Sequence, residues 1–321
     1  FAWKGDASRF LRATLAVAVL LAAVTLNTLL SKQTTRLLHE AIPDAVRKLT
    51  AQSSAAEAGI ALSGDKRFLI SPDERAFLAY ADTGSTLVSK GDPVGAKDAG
   101  IEMIWQLREL ADKMGRRSAF YGVSERYLPT YLDLGLQVLK IGEVARVDLS
   151  TFNLEGPRRK DWRYAKGKAK RDGYVFQVIR AGDLAKDMTN LKAVSDAWLA
   201  LKKSGEKGFS LGWFHPDYIA CFDHAVLRHV QTGKIIAFAN LMQTGDKSEL
   251  SLDLMRYDPA GPALAMDALF AEMLIWGKLQ GYAVFSLGAA PLSGLESRRL
   301  APAWHQIGSF LYEHGEQFYH F

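Results

Sequence analysis

Apolar and polar residues alternate, or recur at helical spacing, through most of the chain beyond residue 65. Residues 76–89 alternate on both sides of Asp82-Thr-Gly84, which predicts a β-hairpin. Apolar residues at helical spacing predict a helix at 98–114, which Gly115 ends. The other elements predicted in this half are a strand at 119–123, a helix at 128–134 and a strand at 144–149.

The second half of the chain repeats this order. Helices are predicted at 187–202 and 262–280, and strands at 219–230, 233–242, 248–257 and 283–287. Hairpin strands followed by a helix and another strand are the order of an acetyltransferase-like unit. The pattern therefore predicts an α/β fold of tandem acetyltransferase-like (GNAT-type) domains, the first over 66–185 and the second, catalytic one over 186–321.

A long apolar stretch lies near the start of the chain. The nineteen residues between Arg12 and Lys32 carry no charge, and as a helix they would span about 28 Å, close to the hydrocarbon core of a bilayer. The chain begins with Phe1 rather than Met, so chain upstream is expected and a secretory signal peptide is disfavoured. We expect one transmembrane helix within 1–31, followed by a juxtamembrane connector over 32–65.

Positive charge is concentrated in one segment. The whole chain has a formal charge of +5, but residues 157–171 alone hold eight basic residues and one acid. On a helix, four of them share one face: Arg159, Arg163, Lys166 and Lys170. Such a face binds the phosphates of a nucleic acid or of anionic lipid headgroups, and the alternative is a solvated surface without a ligand.

Cysteine and histidine usage excludes several chemistries. Cys221 is the only cysteine, so disulfides, thiolate zinc sites and CxxC redox chemistry are excluded, and a reducing compartment fits best. The seven histidines never adopt HExxH spacing, and the sequence predicts no metal site.

The segment Gly208-Phe-Ser210-Leu-Gly212 matches the G-x-S-x-G pattern of the α/β-hydrolase nucleophile elbow. That motif requires a strand before it and a helix after it. Here a polar segment precedes it and Trp213-Phe-His-Pro216 follows, which disfavours a helix. We therefore interpret the match as accidental and keep a hydrolase using Ser210 only as an alternative.

An acidic residue lies in the middle of the predicted strand at 248–257. Alternation puts Asp253 opposite the apolar face, and an acid there tends to be paired or functional. Arg256 would reach the same side only across a β-bulge, and a structural ion pair of the two is the alternative. The next loop, Asp258-Pro-Ala-Gly261-Pro262, has one usable glycine and two prolines without amide donors, which predicts that no acyl-coenzyme A binds there.

A series of short motifs resembles the cytosolic domain of the bacterial phosphatidylglycerol lysyltransferases, the multiple peptide resistance factor family. They run in order over about 230 residues of this chain. The matching segments are Gly91-Asp-Pro-Val-Gly95, Phe120-Tyr-Gly-Val123, Lys140-Ile-Gly-Glu143-Val-Ala-Arg-Val-Asp148-Leu, Phe152-Asn-Leu-Glu-Gly156, Glu206-Lys-Gly-Phe-Ser210-Leu-Gly212, Ser251-Leu-Asp253-Leu-Met-Arg256 and Ala290-Pro-Leu-Ser-Gly294-Leu.

The resemblance implies an enzyme that transfers an aminoacyl group, lysyl in the named family, from aminoacyl-tRNA to phosphatidylglycerol without a cofactor. It implies catalytic roles for Asp253 and Arg256, with Asp253 as general base or as anchor of the aminoacyl ammonium group, and Arg256 facing an oxyanion or a phosphate. The substrate-binding residues that it implies are Glu206, Ser210, Ser251 and Ser293. The basic helix would hold tRNA.

The same resemblance implies a setting for the chain. The partners are tRNA, phosphatidylglycerol, the membrane, an upstream flippase-like transmembrane region of the same protein and a second copy in a homo-oligomer. The location is the bacterial inner membrane, with the soluble domain facing the cytoplasm, where the product gives resistance to cationic antimicrobial peptides. Alanyl transfer, and a membrane-tethered nucleic-acid-binding module without catalysis, are the alternatives besides the hydrolase.

Overall fold

A computed structural model describes residues 39–202 and 205–295. The predicted transmembrane helix at 1–31 and the first residues of the predicted connector lie outside these ranges. Within them, no helix combines the length and apolar character needed to cross a membrane. Helix α1, Asp44–Ala51, and a 3₁₀ segment, Ala56–Ser63, precede the first sheet.

The first sheet is built from the hairpin that the sequence predicted and its neighbours. Its strands are β1 (Arg67–Ile70), β2 (Ala76–Asp82), β3 (Thr86–Lys90), β4 (Val94–Gly95) and β5 (Arg117–Tyr121). Their order is β1-β2-β3-β5, with β4 paired to β2. Helix α2, Lys97–Lys113, connects β4 to β5, and β5 pairs parallel to β3.

The second sheet has six strands in the order β6-β11-β10-β9-β8-β7. The strands are β6 (Gly142–Asp148), β7 (Tyr174–Ile179), β8 (Asp223–His229), β9 (Ile235–Gln243), β10 (Glu249–Tyr257) and β11 (Val284–Pro291). Helix α3 (Leu128–Asp133) packs against α2 of the first sheet. The helices of the second part are α4 (Lys160–Arg171), α5 (Met188–Lys202), α6 (Pro216–Ile219) and α7 (Ala265–Leu279).

Both sheets contain the same unit. Antiparallel strands lead into a helix, and the strand after the helix pairs parallel to a strand that precedes it. In the first sheet β5 pairs with β3 across α2, with the short β4 between β3 and α2, and in the second sheet β11 pairs with β10 across α7. The predicted α/β class and the repeated order of elements are confirmed. The strand predicted to begin at residue 219 begins instead at Asp223, because Pro216–Ile219 forms the short helix α6.

The sheets divide the chain earlier than the predicted domain bounds. Strands β6 and β7 precede residue 185, yet both pair within the second sheet, β6 with β11 and β7 with β8. The change from one sheet to the other therefore falls between Tyr121 and Gly142. That residues 66–185 and 186–321 form two separate folding units stays a prediction.

The second sheet is irregular where β10 carries its acidic residue. The β9–β10 register shifts between Leu252 and Met255, which is the bulge that the sequence required if Asp253 and Arg256 were to share a side. The buried side chain of Asn240 on β9 occupies the bulge, and its Oδ1 accepts hydrogen bonds from the amides of Asp253 (3.3 Å) and Leu254 (2.7 Å).

The basic helix α4 docks on the second sheet through a narrow stripe. Ala165 is buried, and Trp162 and Ala169 are half-buried against the same apolar core. Their spacing of three and four residues places these three side chains on one side of the helix. Most of the basic side chains consequently remain on the outer surface of the helix.

Candidate active site

Asp253 is held by two donors from the segment that follows α5. The amide of Gly212 donates to both carboxylate oxygens, at 3.1 and 2.9 Å, and the Tyr218 hydroxyl donates to Oδ2 at 2.7 Å. Tyr218 is fully buried on α6. The carboxylate is therefore fixed in position at the bulge before any substrate arrives.

The glycine at position 212 is required by this close approach. A Cβ atom built on Gly212 would overlap the Asp253 carboxylate and the Tyr218 ring. The packing against Asp253 and Tyr218 therefore explains the last glycine of the G-x-S-x-G match without a serine nucleophile. Its segment lies in a loop with neither the strand before nor the helix directly after that a nucleophile elbow needs.

The environment of Asp253 favours its protonated form more than water does. Burial raises the pKa of Asp253 above its usual range, and this outweighs the hydrogen bonds from Tyr218 and Gly212 and the charges of Lys66 and Arg256. Burial also raises the pKa of Tyr218, so its hydroxyl stays a donor at neutral pH. A carboxylate with a raised pKa is a better proton acceptor than an ordinary aspartate.

Arg256 binds a different set of residues from those that hold Asp253. Its guanidinium binds both oxygens of Glu206, at 2.8 and 2.6 Å, and also donates to the hydroxyl of Ser195. The Trp198 ring lies 5.3 Å from its Cζ atom. Arg256 is 3% exposed and the Glu206 side chain 21%, so this bidentate ion pair is largely, though not fully, withdrawn from water.

One loop connects the two charged residues of the strand. Its Gly212 amide binds Asp253, while Glu206 in the same loop binds Arg256 and accepts a hydrogen bond from the Phe214 amide at 3.1 Å. We call this segment, residues 205–214, the clamp loop. The Arg256–Glu206 pair therefore fixes the loop that fixes Asp253.

The first half of the chain anchors the same loop. Asp65 accepts a hydrogen bond from the Phe209 amide at 2.5 Å, and the carbonyl of Ser63 accepts one from the Trp213 indole at 2.9 Å. Phe209 has a φ of +63°, a strained value for a residue with a side chain. These long-range contacts hold the loop in a conformation that it would not adopt alone.

Asp65 also forms a buried ion pair with Lys66. The Lys66 ammonium group lies 2.5 Å from Asp65 Oδ1 and is 2% exposed as a residue. Burial lowers the pKa of Lys66, while the charges of Asp65 and Asp253 oppose that shift. Sequence reasoning missed Asp65, Lys66, Tyr218 and Asn240, because their partners lie far along the chain and no local pattern marks them.

The four residues predicted to bind substrate occupy different places. Glu206 and Ser210 belong to the clamp loop, and the Ser251 hydroxyl donates to the Ser286 carbonyl on the neighbouring strand at 3.0 Å. Ser293 lies beyond β11, where its hydroxyl donates to the Ala290 carbonyl (2.6 Å) and accepts from the Glu143 amide (3.0 Å). Their part in substrate binding stays a prediction.

The predicted phosphate-binding face of α4 is partly engaged within the protein. Lys166 forms an ion pair with Glu272 at 3.0 Å, and Arg163 donates to the carbonyls of Leu154 and Gly156. The Arg159 guanidinium lies over the rings of Phe152 and Trp162. Lys170 is exposed and has no hydrogen bond or ion pair within the described part of the chain.

The loop after β10 is closed on itself. The Asp258 amide donates to the Ile236 carbonyl, the Ala260 amide to the Asp258 carboxylate and the Gly261 amide to the Asp258 carbonyl, at 2.7, 2.9 and 2.8 Å. The Asp258 carboxylate is also paired with Lys234 at 2.7 Å. These three amides have no free hydrogen to offer a pyrophosphate.

Fold and site together define an acetyltransferase-like α/β protein with a half-buried carboxylate on a central strand of its second sheet. The family model for the C-terminal region of phosphatidylglycerol lysyltransferase matches residues 47–321. The chain belongs to this family.

Relatives and solved structures agree with this assignment. The chain is 37% identical over 232 residues to phosphatidylglycerol lysyltransferase of Bacillus subtilis, covering 72% of this chain and 27% of the relative. It is 33% identical over 259 residues to that of a Staphylococcus aureus strain, covering 81% and 30%. The chain thus spans less than a third of the length of these relatives.

Two solved structures have the same fold. The C-terminal domain of a protein named as a lysylphosphatidylglycerol synthetase, from Agrobacterium fabrum, has a TM-score of 0.76 at 38% identity, covering 87% of this chain and 83% of that one. The L-PGS of Bacillus licheniformis also has a TM-score of 0.76, at 35% identity, covering 85% and 83%. FemX, at 8% identity and a TM-score of 0.53, shares the fold alone.

Proposed function

We propose that this chain transfers an aminoacyl group, lysyl by the names of its relatives, from aminoacyl-tRNA to a glycerol hydroxyl of phosphatidylglycerol. The observation that carries the proposal is the Asp253 carboxylate, held by Gly212 and Tyr218 and given a raised pKa by burial. A fixed carboxylate with a raised pKa suits proton abstraction from a hydroxyl.

The reaction exchanges one ester for another. The glycerol oxygen forms a bond to the aminoacyl carbonyl carbon while the bond from that carbon to the ribose oxygen of the tRNA breaks. Asp253 takes the proton of the glycerol hydroxyl and returns it to the departing ribose oxygen. No oxidant, reductant or external energy source is needed, so catalysis depends on positioning and charge.

Arg256 acts in this proposal as a positioning residue. Its guanidinium is occupied by Glu206 and Ser195, which leaves little of its charge for a substrate oxyanion. Through Glu206 it holds the clamp loop, and through that loop it holds Asp253. This role differs from direct neutralisation of a phosphate or an oxyanion, which the motif alone left open.

The basic helix α4 supplies the attraction for a polyanion. Its exposed cations fit the phosphates of tRNA, and the strong salt dependence of such contacts is measurable. Arg159, Arg163, Lys166 and Lys170 remain the proposed tRNA-binding set, with Lys170 the most available of the four, and the exposed Arg158 and Lys160 extend it.

The cellular setting follows from the same proposal. The chain works at the bacterial inner membrane, with residues 39–295 on the cytoplasmic side and the apolar stretch within 1–31 as its anchor. An upstream transmembrane region would move the product between leaflets, and the positively charged lipid would reduce the binding of cationic antimicrobial peptides.

A reconstituted assay tests this function. The full chain in detergent is mixed with phosphatidylglycerol vesicles and with lysyl-tRNA or alanyl-tRNA, and the lipids are analysed by mass spectrometry. Lysyl-phosphatidylglycerol is expected with lysyl-tRNA. If only alanyl-phosphatidylglycerol forms, the donor is alanyl-tRNA instead of lysyl-tRNA. If neither tRNA gives an aminoacyl lipid, the proposal is overturned.

Two variants separate the proposal from the hydrolase alternative. Asp253→Asn should abolish lipid product, whereas Ser210→Ala should retain it, because Ser210 is no nucleophile in this mechanism. Complete loss in Ser210→Ala, with normal product in Asp253→Asn, would favour the hydrolase. Tight tRNA binding with no product under any condition would favour the nucleic-acid-binding module.

A further inference from the structure

Strand β9 carries one polar side chain in the middle of an otherwise apolar sequence. Its first eight residues, 235–242, are all buried, and Asn240 is the only polar residue among them. Asn240 is 0% exposed. A buried amide side chain is costly unless its polar atoms have partners, so the partners of Asn240 show what it stabilises.

The partners of the Asn240 oxygen are two consecutive backbone amides of β10. Oδ1 accepts hydrogen bonds from the amides of Asp253, at 3.3 Å, and of Leu254, at 2.7 Å. The register between the strands shifts between Leu252 and Met255, so two residues of β10 lie opposite this one residue of β9. That is the two-against-one geometry of a β-bulge, and a side-chain oxygen holds it.

The bulge changes which side of the sheet the residues of β10 face. Leu252 before it and Met255 after it pack against the same core, the one that contains α7, although they are three residues apart. On a regular strand, residues three apart face opposite sides. The bulge is therefore what allows Asp253 and Arg256, which are also three apart, to lie on one side.

Asn240 also lies next to the tyrosine that binds the Asp253 carboxylate. Burial raises the pKa of Tyr218, and the neighbouring side chain of Asn240 opposes this rise. The Tyr218 hydroxyl donates in turn to Asp253 Oδ2 at 2.7 Å. Asn240 is thus connected to Asp253 both through the backbone and through a side chain that holds the carboxylate.

On the basis of the proposed aminoacyl transfer, we propose that Asn240 is a positioning residue, which fixes the bulge and so directs the Asp253 carboxylate toward Gly212 and Tyr218. Asn240 is fully buried and acts through Asp253 rather than on a substrate. A displacement of about 1 Å at a catalytic group can lower the rate by about 100-fold. Loss of the Asn240 oxygen should therefore affect catalysis more than substrate binding.

The test compares Asn240→Leu with the parent full chain in the lipid assay. Leucine keeps the branched shape of asparagine but has no hydrogen-bonding atoms. We expect kcat to fall by about 100-fold, while the KM values for lysyl-tRNA and phosphatidylglycerol change by less than about threefold. The acid limb of the pH–rate profile should move to higher pH, because weaker hydrogen bonds from Gly212 and Tyr218 no longer hold down the pKa of Asp253.

A second measurement reports on the contact itself. Hydrogen exchange at the amides of Asp253 and Leu254 should be faster in Asn240→Leu than in the parent, because both amides lose their acceptor. Asn240→Asp keeps an oxygen acceptor in either protonation state, so exchange at these two amides should stay as slow as in the parent.

Thr244→Val is the matched control on the same pair of strands. Thr244 is 3% exposed, and its hydroxyl bonds the amide and the carbonyl of Glu249, both at 3.0 Å, at the start of β10. This variant also removes a buried polar group that binds the backbone of β10, but away from the bulge. It should lower the melting temperature and leave kcat and the acid limb at parent values.

Two results would overturn the positioning role. One is a parent-like kcat in Asn240→Leu, and the other is an equal loss of kcat in Thr244→Val, which would mean that the stability of the sheet alone matters. If Asn240→Leu does not fold, Asn240→Ser, whose oxygen lies one bond short of the Oδ1 position, is measured in its place with the same expectations. An inactive parent chain would instead overturn the proposed function, and hydrogen exchange would still test the contact at the bulge.

Discussion

The surroundings of Asp253 and the basic helix α4 use charge in opposite ways. Around Asp253 the charged side chains are paired and largely withdrawn from water, as in the Arg256–Glu206 pair across 50 residues and the Asp65–Lys66 pair of sequence neighbours. On α4 most charges are exposed, and its ion pairs stay partly exposed, both with the nearby Asp172 (Lys168) and with the distant Glu272 (Lys166). Buried charge fixes geometry, whereas exposed charge sets the affinity for a polyanion.

This contrast has measurable consequences. Removing one member of a buried ion pair typically costs about 3 to 5 kcal/mol, while an exposed pair contributes about 0 to 1 kcal/mol. Variants near Asp253 should therefore change catalysis or folding with little dependence on salt. Variants on α4 should change binding in a salt-dependent way and leave folding nearly unchanged.

The largest effect is expected for Asp253→Asn. Asparagine keeps an oxygen for the Gly212 amide and the Tyr218 hydroxyl but cannot take a proton, so we expect a fall in kcat of about 10² to 10⁴-fold. Product formation by the parent chain should increase with pH as Asp253 ionises, since its pKa is raised by burial, and this acid limb should vanish in the variant.

Two further measurements on Asp253→Asn test the role of Asp253 and the direction of its pKa shift. A base predicts a loss in kcat, whereas an ammonium anchor predicts a rise in the KM for lysyl-tRNA. The folded state binds the Asp253 proton more tightly than the unfolded chain, so ionisation of this group costs stability as pH rises through its raised pKa. Asp253→Asn should thus melt at or above the parent temperature at pH 7.

The second effect is on folding. Arg256→Ala leaves the half-buried Glu206 without its partner and frees the clamp loop, so unfolding free energy should fall by up to about 3 kcal/mol. The S-x-D-L-M-R motif alone predicts the same catalytic role for Asp253 and Arg256. Their contacts instead predict a loss of activity when Asp253 is changed and a loss of stability when Arg256 is changed. Urea unfolding measures the difference.

The control for Arg256 is an exposed pair of the same kind. Lys192 and Asp196 are each 58% exposed, so Lys192→Ala should cost less than about 1 kcal/mol. Arg256→Lys keeps the charge but not the bidentate geometry. Its loss of unfolding free energy should lie between those of Arg256→Ala and Lys192→Ala. Parent-like stability of Arg256→Ala would contradict the role of the buried pair.

Much of the fold could be predicted because its signals are local. The hairpin at 76–89, the helices around residues 98–114 and 262–280, and the docking stripe of α4 each depend on periodicity within one element. The assignment of β6 and β7 to the second sheet could not be predicted, because strand pairing between distant segments leaves no local pattern.

The candidate site was predictable only in part. Asp253 is marked by an acid in an apolar strand, whereas the bulge beside it was only a condition for Arg256 to reach the same side, and alternation alone did not predict it. Tyr218 and Asp65 carry no such mark, because a buried tyrosine and a surface-type aspartate are common. Their roles arise only when the clamp loop folds back on both halves of the chain.

The third effect concerns salt dependence on α4. Three cations, Arg158 just before α4 and Lys160 and Lys170 on it, are exposed and have no hydrogen bond or ion pair within the described ranges. Changing these three to glutamine should weaken tRNA binding and reduce the log–log salt slope by about 2 to 3 units, because three phosphate contacts are lost.

A charge-matched comparison makes this prediction specific. Changing Arg163, Lys166 and Lys168 to glutamine removes the same formal charge, but these side chains already bind the protein's own acids or carbonyls. The slope should change less than in the first variant. Equal changes would mean that net charge alone matters, and the same titration with phosphatidylglycerol vesicles shows which polyanion the helix serves.

The last prediction concerns coenzyme A, for which we expect no measurable binding. A pyrophosphate needs free amides and little negative charge, but the amides of Asp258, Ala260 and Gly261 are bonded within the protein, and Pro259 and Pro262 have none. The Lys234 side chain lowers the pKa of Asp258, so a full negative charge lies where the phosphates would bind. Calorimetry with coenzyme A should give no binding tighter than about 1 mM, while tRNA binds the same sample. A micromolar dissociation constant would show that this loop opens, and would return the acyl-coenzyme A donor to consideration.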